Sequence, residues 1–118
     1  MITVGVFDSN TMKFDVRQIE DSLDEYYRII GCQYIDIATR RIGGAGGRVF
    51  DIICDDEGLL KEGPVVTALD GEFQPMLVGT LIFAHHDNEG NMTGITEEDA
   101  YLLRIATIAD IVWPCDYL

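Results

Sequence analysis

The sequence predicts an α+β fold, a mostly antiparallel sheet of five to six strands covered by two helices. Three observations carry this. The chain opens with two alternating runs separated by a four-residue turn, apolar residues then recur at helical spacing twice, and the intervening segments are β-rich and punctuated by glycine and proline. At 118 residues and 47% hydrophobic composition, the chain is expected to fold as a single globular domain spanning 1–118.

Each element has a local reason. ITVGVFD at 2–8 places Ile2, Val4 and Val6 on one side, SNTM supplies a turn, and KFDVRQI at 13–19 alternates again, so a hairpin is expected. Ile19, Leu23, Tyr26, Tyr27 and Ile30 then fall on one stripe of a helix at about 21–30. Ser22 and Glu25 suit a capping box there, and Gly31 suits a left-handed stop. YIDIATRRI at 34–42 and RVFDIICDD at 48–56 are strands, offering Ile35, Ile37, Val49, Ile52 and Ile53 to the core. GPVVTALDG and QPMLVGTLIFAHH supply further strands around Asp70-Gly71. Thr96 caps a final helix at about 97–112, whose first turn carries Glu97, Glu98 and Asp99, acids that complement the helix dipole. Its expected buried stripe is Leu102, Ile105, Ala106, Ala109, Val112 and Trp113, with Pro114 ending it. Tyr101, Ile108 and Ile111 fall off that stripe and are the expected self-association residues of a homodimer.

Between the third and fourth strands lies GGAGG, flanked by Arg40, Arg41 and Arg48. A phosphate-binding loop runs from a strand into a helix so that amides converge on the anion; this one runs from strand to strand and lacks a following Gly-Lys-Ser/Thr. A hairpin tip with positive φ is the expected structure, left mobile unless something binds it. The three arginines are the local excess of positive charge and the expected contact for a partner or an anion. CDDEG at 54–58 and HDNEG at 86–90 read as two turns of one kind, each ending in a left-handed glycine.

Charge is the strongest global signal. The chain carries 21 acids and 8 bases, a formal −13. Residues 1–61 hold 11 acids and 7 bases (−4), and residues 62–118 hold 10 acids and one base (−9). Such a field disfavours direct nucleic-acid or anionic-membrane binding and favours a partner protein with a basic surface. The acidic face expected to meet it comprises Asp55, Asp56, Glu57, Glu97, Glu98 and Asp99. The start MITVGVFDSN has no basic leader, and the longest apolar run, 76–84, is far below the ~20 residues that span a bilayer, so a cytoplasmic protein is expected.

Catalytic and metal signatures fail on their own geometry, so no enzyme and no cofactor are expected. His85 and His86 are adjacent on a strand and point to opposite faces. The stretch after Asp87 misses the calcium-loop glycine, since its sixth position is Met92. Ser9 and Ser22 lie in no nucleophile elbow, and Cys32, Cys54 and Cys115 form neither a CxxC pair nor a closed disulfide set.

The order of elements, the I-C-D-D-E-G turn at 53–58, the V-G-T-L-I-F strand at 78–83 and the T-E-E-D cap at 96–99 resemble a small domain-of-unknown-function family carried by bacteriophages, plasmids and their hosts. Its members carry an I-C-N-E-E-G-L-type turn. The resemblance spans about residues 1–108, rests on scaffold residues from Ile19 to Leu23, Ile53 to Leu59 and Val78 to Phe83, and transfers no active-site residue. The GGAGG tip and the WPCDYL tail depart from it. It implies a mobile-element accessory protein. With the charge, it leads to the expectation of a binding factor of anti-CRISPR or anti-restriction type, an acidic mimic of nucleic acid that inhibits a host defence nuclease. The alternative is a small anion- or nucleotide-ligand module built on the arginine-flanked tip.

Overall fold

The computed structural model describes residues 1–42, 45–57, 66–69, 75–108 and 113–117; within these, the side chains of 66–69, 75–76, 78, 106–108 and 113–117 are not described. In chain order the elements are β1 (Ile2–Asp8), β2 (Lys13–Ile19), α1 (Leu23–Ile30), β3 (Ile35–Ile42), β4 (Arg48–Asp55), β5 (Val66–Leu69), β6 (Pro75–Val78), β7 (Leu81–His86), β8 (Met92–Thr93), α2 (Glu97–Ile108) and β9 (Trp113–Tyr117). Six strands in the order β2-β1-β7-β4-β3-β9 pair antiparallel, and a parallel step from β9 to β5 carries the sheet on to β6. The fold is α+β, as the alternation of periods predicts. No helix among the described residues is long and apolar enough to cross a membrane.

The opening hairpin forms in the register its alternation dictates, with seven facing pairs from Ile2↔Ile19 to Asp8↔Lys13. Val4 and Val6 face α1, in a cluster with Tyr26, Ile53 and Ile82. Phe7, Phe50, Ile52, Leu81 and Phe83 face α2, in a cluster with Leu103. The central strands β7 and β4 are thus covered on both faces. The aromatic rings of Phe14, Phe83 and Phe50 meet edge-on in succession, with centroids 6.2 Å apart at each step.

Helix α1 begins and ends as expected. The Ser22 hydroxyl accepts from the Glu25 amide, and Gly31, at φ 77°, closes the helix by donating to Tyr27 O. Glu25 does not complete the capping box; its carboxylate pairs with Arg28 one turn on. Leu23, expected in the core, is 57% exposed, and so is much of Ile37 on β3, because an eight-residue helix is too short to roof the whole face.

Three further expectations are corrected. Trp113, expected on the buried stripe of the final helix, instead begins strand β9; pairing Ile42↔Cys115 through Arg40↔Tyr117 satisfies the backbone groups along the outer edge of β3, a gain that helix continuation could not offer. The QPMLVGTLIFAHH run is two strands, broken at Gly79 and Thr80. The buried stripe of α2 is also rotated: Leu103 is fully buried whereas Ile105 is 46% exposed. Asp99, bonded to Arg48 on β4 and His85 on β7, lies one turn before Leu103, so the 99/103 side of the helix faces the sheet. Tyr101 is exposed as expected; Ala109, Ile111 and Val112, and the side chain of Ile108, lie outside the described residues.

Between β8 and α2 the chain presses against β1, where the Ile95 amide donates to Thr3 O (2.8 Å). Gly94 permits this approach, since a Cβ there would sit 2.8 Å from the Thr3 carbonyl oxygen. The contact delivers the first turn of α2 to the start of β4.

Candidate functional site

The strand β7 ends in His85-His86, and alternation sends the two imidazoles to opposite faces. Each meets a buried aspartate. On the α2 face, His85 Nε2 donates to Asp99 Oδ2 (2.9 Å), and the ring stacks on Phe50 at 5.1 Å. Asp99 also accepts from Arg48 Nη1 (2.7 Å) and from the Thr96 amide (2.9 Å), while its own amide donates to Thr96 Oγ1 (3.1 Å). Thr96 and Asp99 therefore form a reciprocal capping box whose acidic member is shared with an arginine and a histidine. Burial pushes the Asp99 carboxyl up, but the Thr96 amide, Arg48 and His85 outweigh it and hold the group at about 2.

On the α1 face, His86 Nδ1 donates to Asp51 Oδ2 (2.5 Å), and Thr39 Oγ1 donates to Asp51 Oδ1 (2.8 Å). Asp51 is 3% exposed, whereas the His86 side chain is 53% exposed. The carboxylate fixes the tautomer and orientation of the ring, leaving Nε2 as the other edge. This is the second half of a catalytic dyad's geometry, but the hydroxyl bonds the carboxylate and not the ring. The sequence reading missed both networks: alternation separates the two imidazoles, but Asp51 meets His86 only because β4 lies beside β7, and Asp99 meets His85 and Arg48 only because α2 packs onto the sheet.

The arginines flanking the glycine tip are divided between the two faces of the sheet. Arg40 faces Phe50 across the ladder and Arg48 faces Ile42, both on the α2 side, whereas Arg41 faces Val49 on the other side. Arg48 is engaged by Asp99 and by Glu98 Oε1 (2.7 Å), and Arg40 Nη1 donates to Thr39 O (2.9 Å). The described part of the tip is folded down onto the core: Ala45 is fully buried, and Gly46 and Gly47, at φ 70° and 73°, let the chain return so that the Gly47 amide donates to Ile42 O. Gly43 and Gly44 lie outside the described residues.

The six acids expected on one face are divided. Asp55, Asp56 and Glu57 stand at the end of β4, with the Glu57 amide bonded to Asp55 Oδ1 (2.9 Å). Glu97 and Glu98 are exposed in the first turn of α2, beside the start of β4, and Asp99 is buried. Seven steps along β4 separate the two groups by about 23 Å. The turn at 87–90 follows the expected chemistry: Asp87 Oδ1 accepts from the amides of Glu89 and Asn91, and Gly90 is left-handed at φ 83°. Those amide bonds lower the Asp87 carboxyl below its ordinary value. The described residues contain no group of three or more potential metal ligands.

A family model described as a domain of unknown function (DUF3846) matches residues 2–107. Comparison with curated proteins gives no match, and neither does comparison with solved structures.

Proposed function

The chain belongs to the DUF3846 family, whose description assigns no activity, and from its surface chemistry we propose a non-enzymatic protein-binding factor that presents carboxylates to a basic surface of a partner protein. The observation that carries this reading is how the scarce positive charge is spent. Of 8 bases against 21 acids, Arg17, Arg28 and Arg48 are each paired with a carboxylate of this chain. The outward field is consequently set by acids.

Those acids are held in place. Glu97 and Glu98 ride on a helix turn fixed by the Thr96–Asp99 box, and Asp55 to Glu57 sit in a turn closed by Asp55 itself. Charges fixed before binding cost little ordering entropy and favour electrostatic complementarity. In its concrete form, the partner is a host defence nuclease of restriction or CRISPR type, and the carboxylates occupy the groove that receives nucleic-acid phosphates. The resemblance to proteins of phages and plasmids supports that choice, and such a factor would act in the cytoplasm.

The test is inhibition of a panel of such nucleases, read as DNA cleavage against added protein. Inhibition should be competitive with DNA and should fade between about 0.1 M salt, where the screening length is about 10 Å, and about 1 M, where it is about 3 Å. Inhibition indifferent to salt would remove the mimicry mechanism.

A further inference from the structure

Strand β2 lies at one end of the sheet order and, among the described residues, pairs with β1 alone, so its outer edge offers unpaired backbone groups. Natural edges are usually blunted by proline, a bulge or charged side chains. This one is seven regular residues, KFDVRQI, carrying Lys13, Asp15 and Arg17 on one face with alternating sign. We propose that this edge binds a second copy of the chain, antiparallel and two-fold symmetric about Val16, joining two sheets into one.

The register follows from charge. A two-fold axis at Val16 overlaps all seven residues and places Asp15 opposite Arg17 of the other copy, and Arg17 opposite its Asp15. Directly opposed pairs of unlike charge stabilise antiparallel strands, and like pairs destabilise them. Moving the axis one residue brings Asp15 onto Asp15 or Arg17 onto Arg17. The strand therefore complements itself in its full-length register and repels itself in the neighbouring ones. Asp15 and Arg17 already bond within the strand at 3.1 Å, with side chains 56% and 39% exposed, so both are at hand for exchange between copies.

The surroundings fit. Two chains of −13 repel, yet on β2 itself bases outnumber acids two to one, so approach along this edge is opposed less than the net charge alone would dictate. On the α2 face, Val16 is exposed at the axis beside a cleft of about 540 Å³ lined by Gln18, Ile95, Ala100, Tyr101 and Arg104. Tyr101 and Ile105 stand exposed one turn apart on α2, which packs on β2, so each copy brings the same apolar stripe to the junction. Strand addition supplies backbone bonds and register, and the stripe supplies apolar burial.

The experiment is sedimentation velocity on the full chain and on charge variants, each first shown by circular dichroism and thermal melting to be folded. Wild type is expected to dimerise at micromolar to submillimolar concentration. Arg17→Asp and Asp15→Arg should each weaken the dimer by about tenfold or more, and the double exchange D15R/R17D should restore it to within about threefold. An equimolar mixture of the two single variants should form a heterodimer, since every opposed pair is then unlike. A wild type monomeric across that range at low and high salt overturns the proposal. So does a dimer that Arg17→Asp leaves unweakened, or a folded double exchange that restores nothing.

Discussion

The two faces of the sheet carry the same chemical pair, a buried aspartate bonded to a histidine at the end of β7, and use it differently. On the α2 face, Asp99 gathers an arginine, a histidine and the helix-capping amide, and His85 is pressed against Phe50. On the α1 face, Asp51 gathers a hydroxyl and a histidine without an arginine, and more than half of His86 is exposed. The first arrangement is a fastening between helix and sheet. The second is a displayed imidazole with a fixed tautomer. What distinguishes them is cover: α2 brings Asp99 down onto its strand partners, whereas α1 is only eight residues long.

Replacing the fastening should have the largest effect. Asp99→Ala removes the acidic half of a capping box and the carboxylate shared by Arg48 and His85, and should cost about 3 kcal/mol, read as a fall in the urea midpoint at unchanged slope. The same group sets an acid limit. Its carboxyl is held at about 2 against an ordinary 3.8, so the folded state binds the proton less readily than the unfolded state. Its contribution of about 2 kcal/mol is complete above about pH 4 and is lost as pH falls through about 2. In Asp99→Asn, that component of acid unfolding should vanish.

Asp51→Asn probes the other face and should cost about 1 kcal/mol, because the carboxamide still accepts from Thr39 but no longer holds the ring by charge. The sharper readout is nitrogen NMR of His86, where the Nδ1–H population should drop. If Asp51→Asn proves as destabilising as Asp99→Ala, the distinction between fastening and display collapses. The smallest effect is expected at the other cap: Ser22→Ala should cost about 0.5–1 kcal/mol, since a single side-chain bond to Glu25 N serves α1, whereas at α2 Asp99 is held by three partners, Thr96, Arg48 and His85. A loss equal to that of Asp99→Ala would show that both helices are fastened alike.

The GGAGG tip shows how local chemistry can mislead. Glycines and arginines in one stretch suggest a clamp, but strand parity separates Arg41 from Arg40 and Arg48, and α2 claims Arg48 from fifty residues away. The acidic residues teach the converse. Asp99 looks like a third surface charge beside Glu97 and Glu98, and helical geometry alone makes it a good first-turn acid. That it is buried depends on a histidine and an arginine that only the folded sheet brings beside it.

Elements held by forces between near neighbours in the chain are legible from residue order alone. The β1–β2 register follows from alternation across a short turn, both caps follow from Ser22, Gly31 and Thr96, and the 87–90 turn follows from Asp87 and Gly90. Tertiary structure decided everything that required knowing which strand lies beside which. It drew Trp113–Tyr117 onto the edge of β3, rotated α2 so that Leu103 and not Ile105 enters the core, and sent two adjacent histidines to two aspartates on opposite faces. Capping and alternation are encoded within a turn or two of chain, whereas pairing partners and buried ion contacts depend on groups 14 to 51 residues apart, whose meeting is set by the packing of the whole sheet.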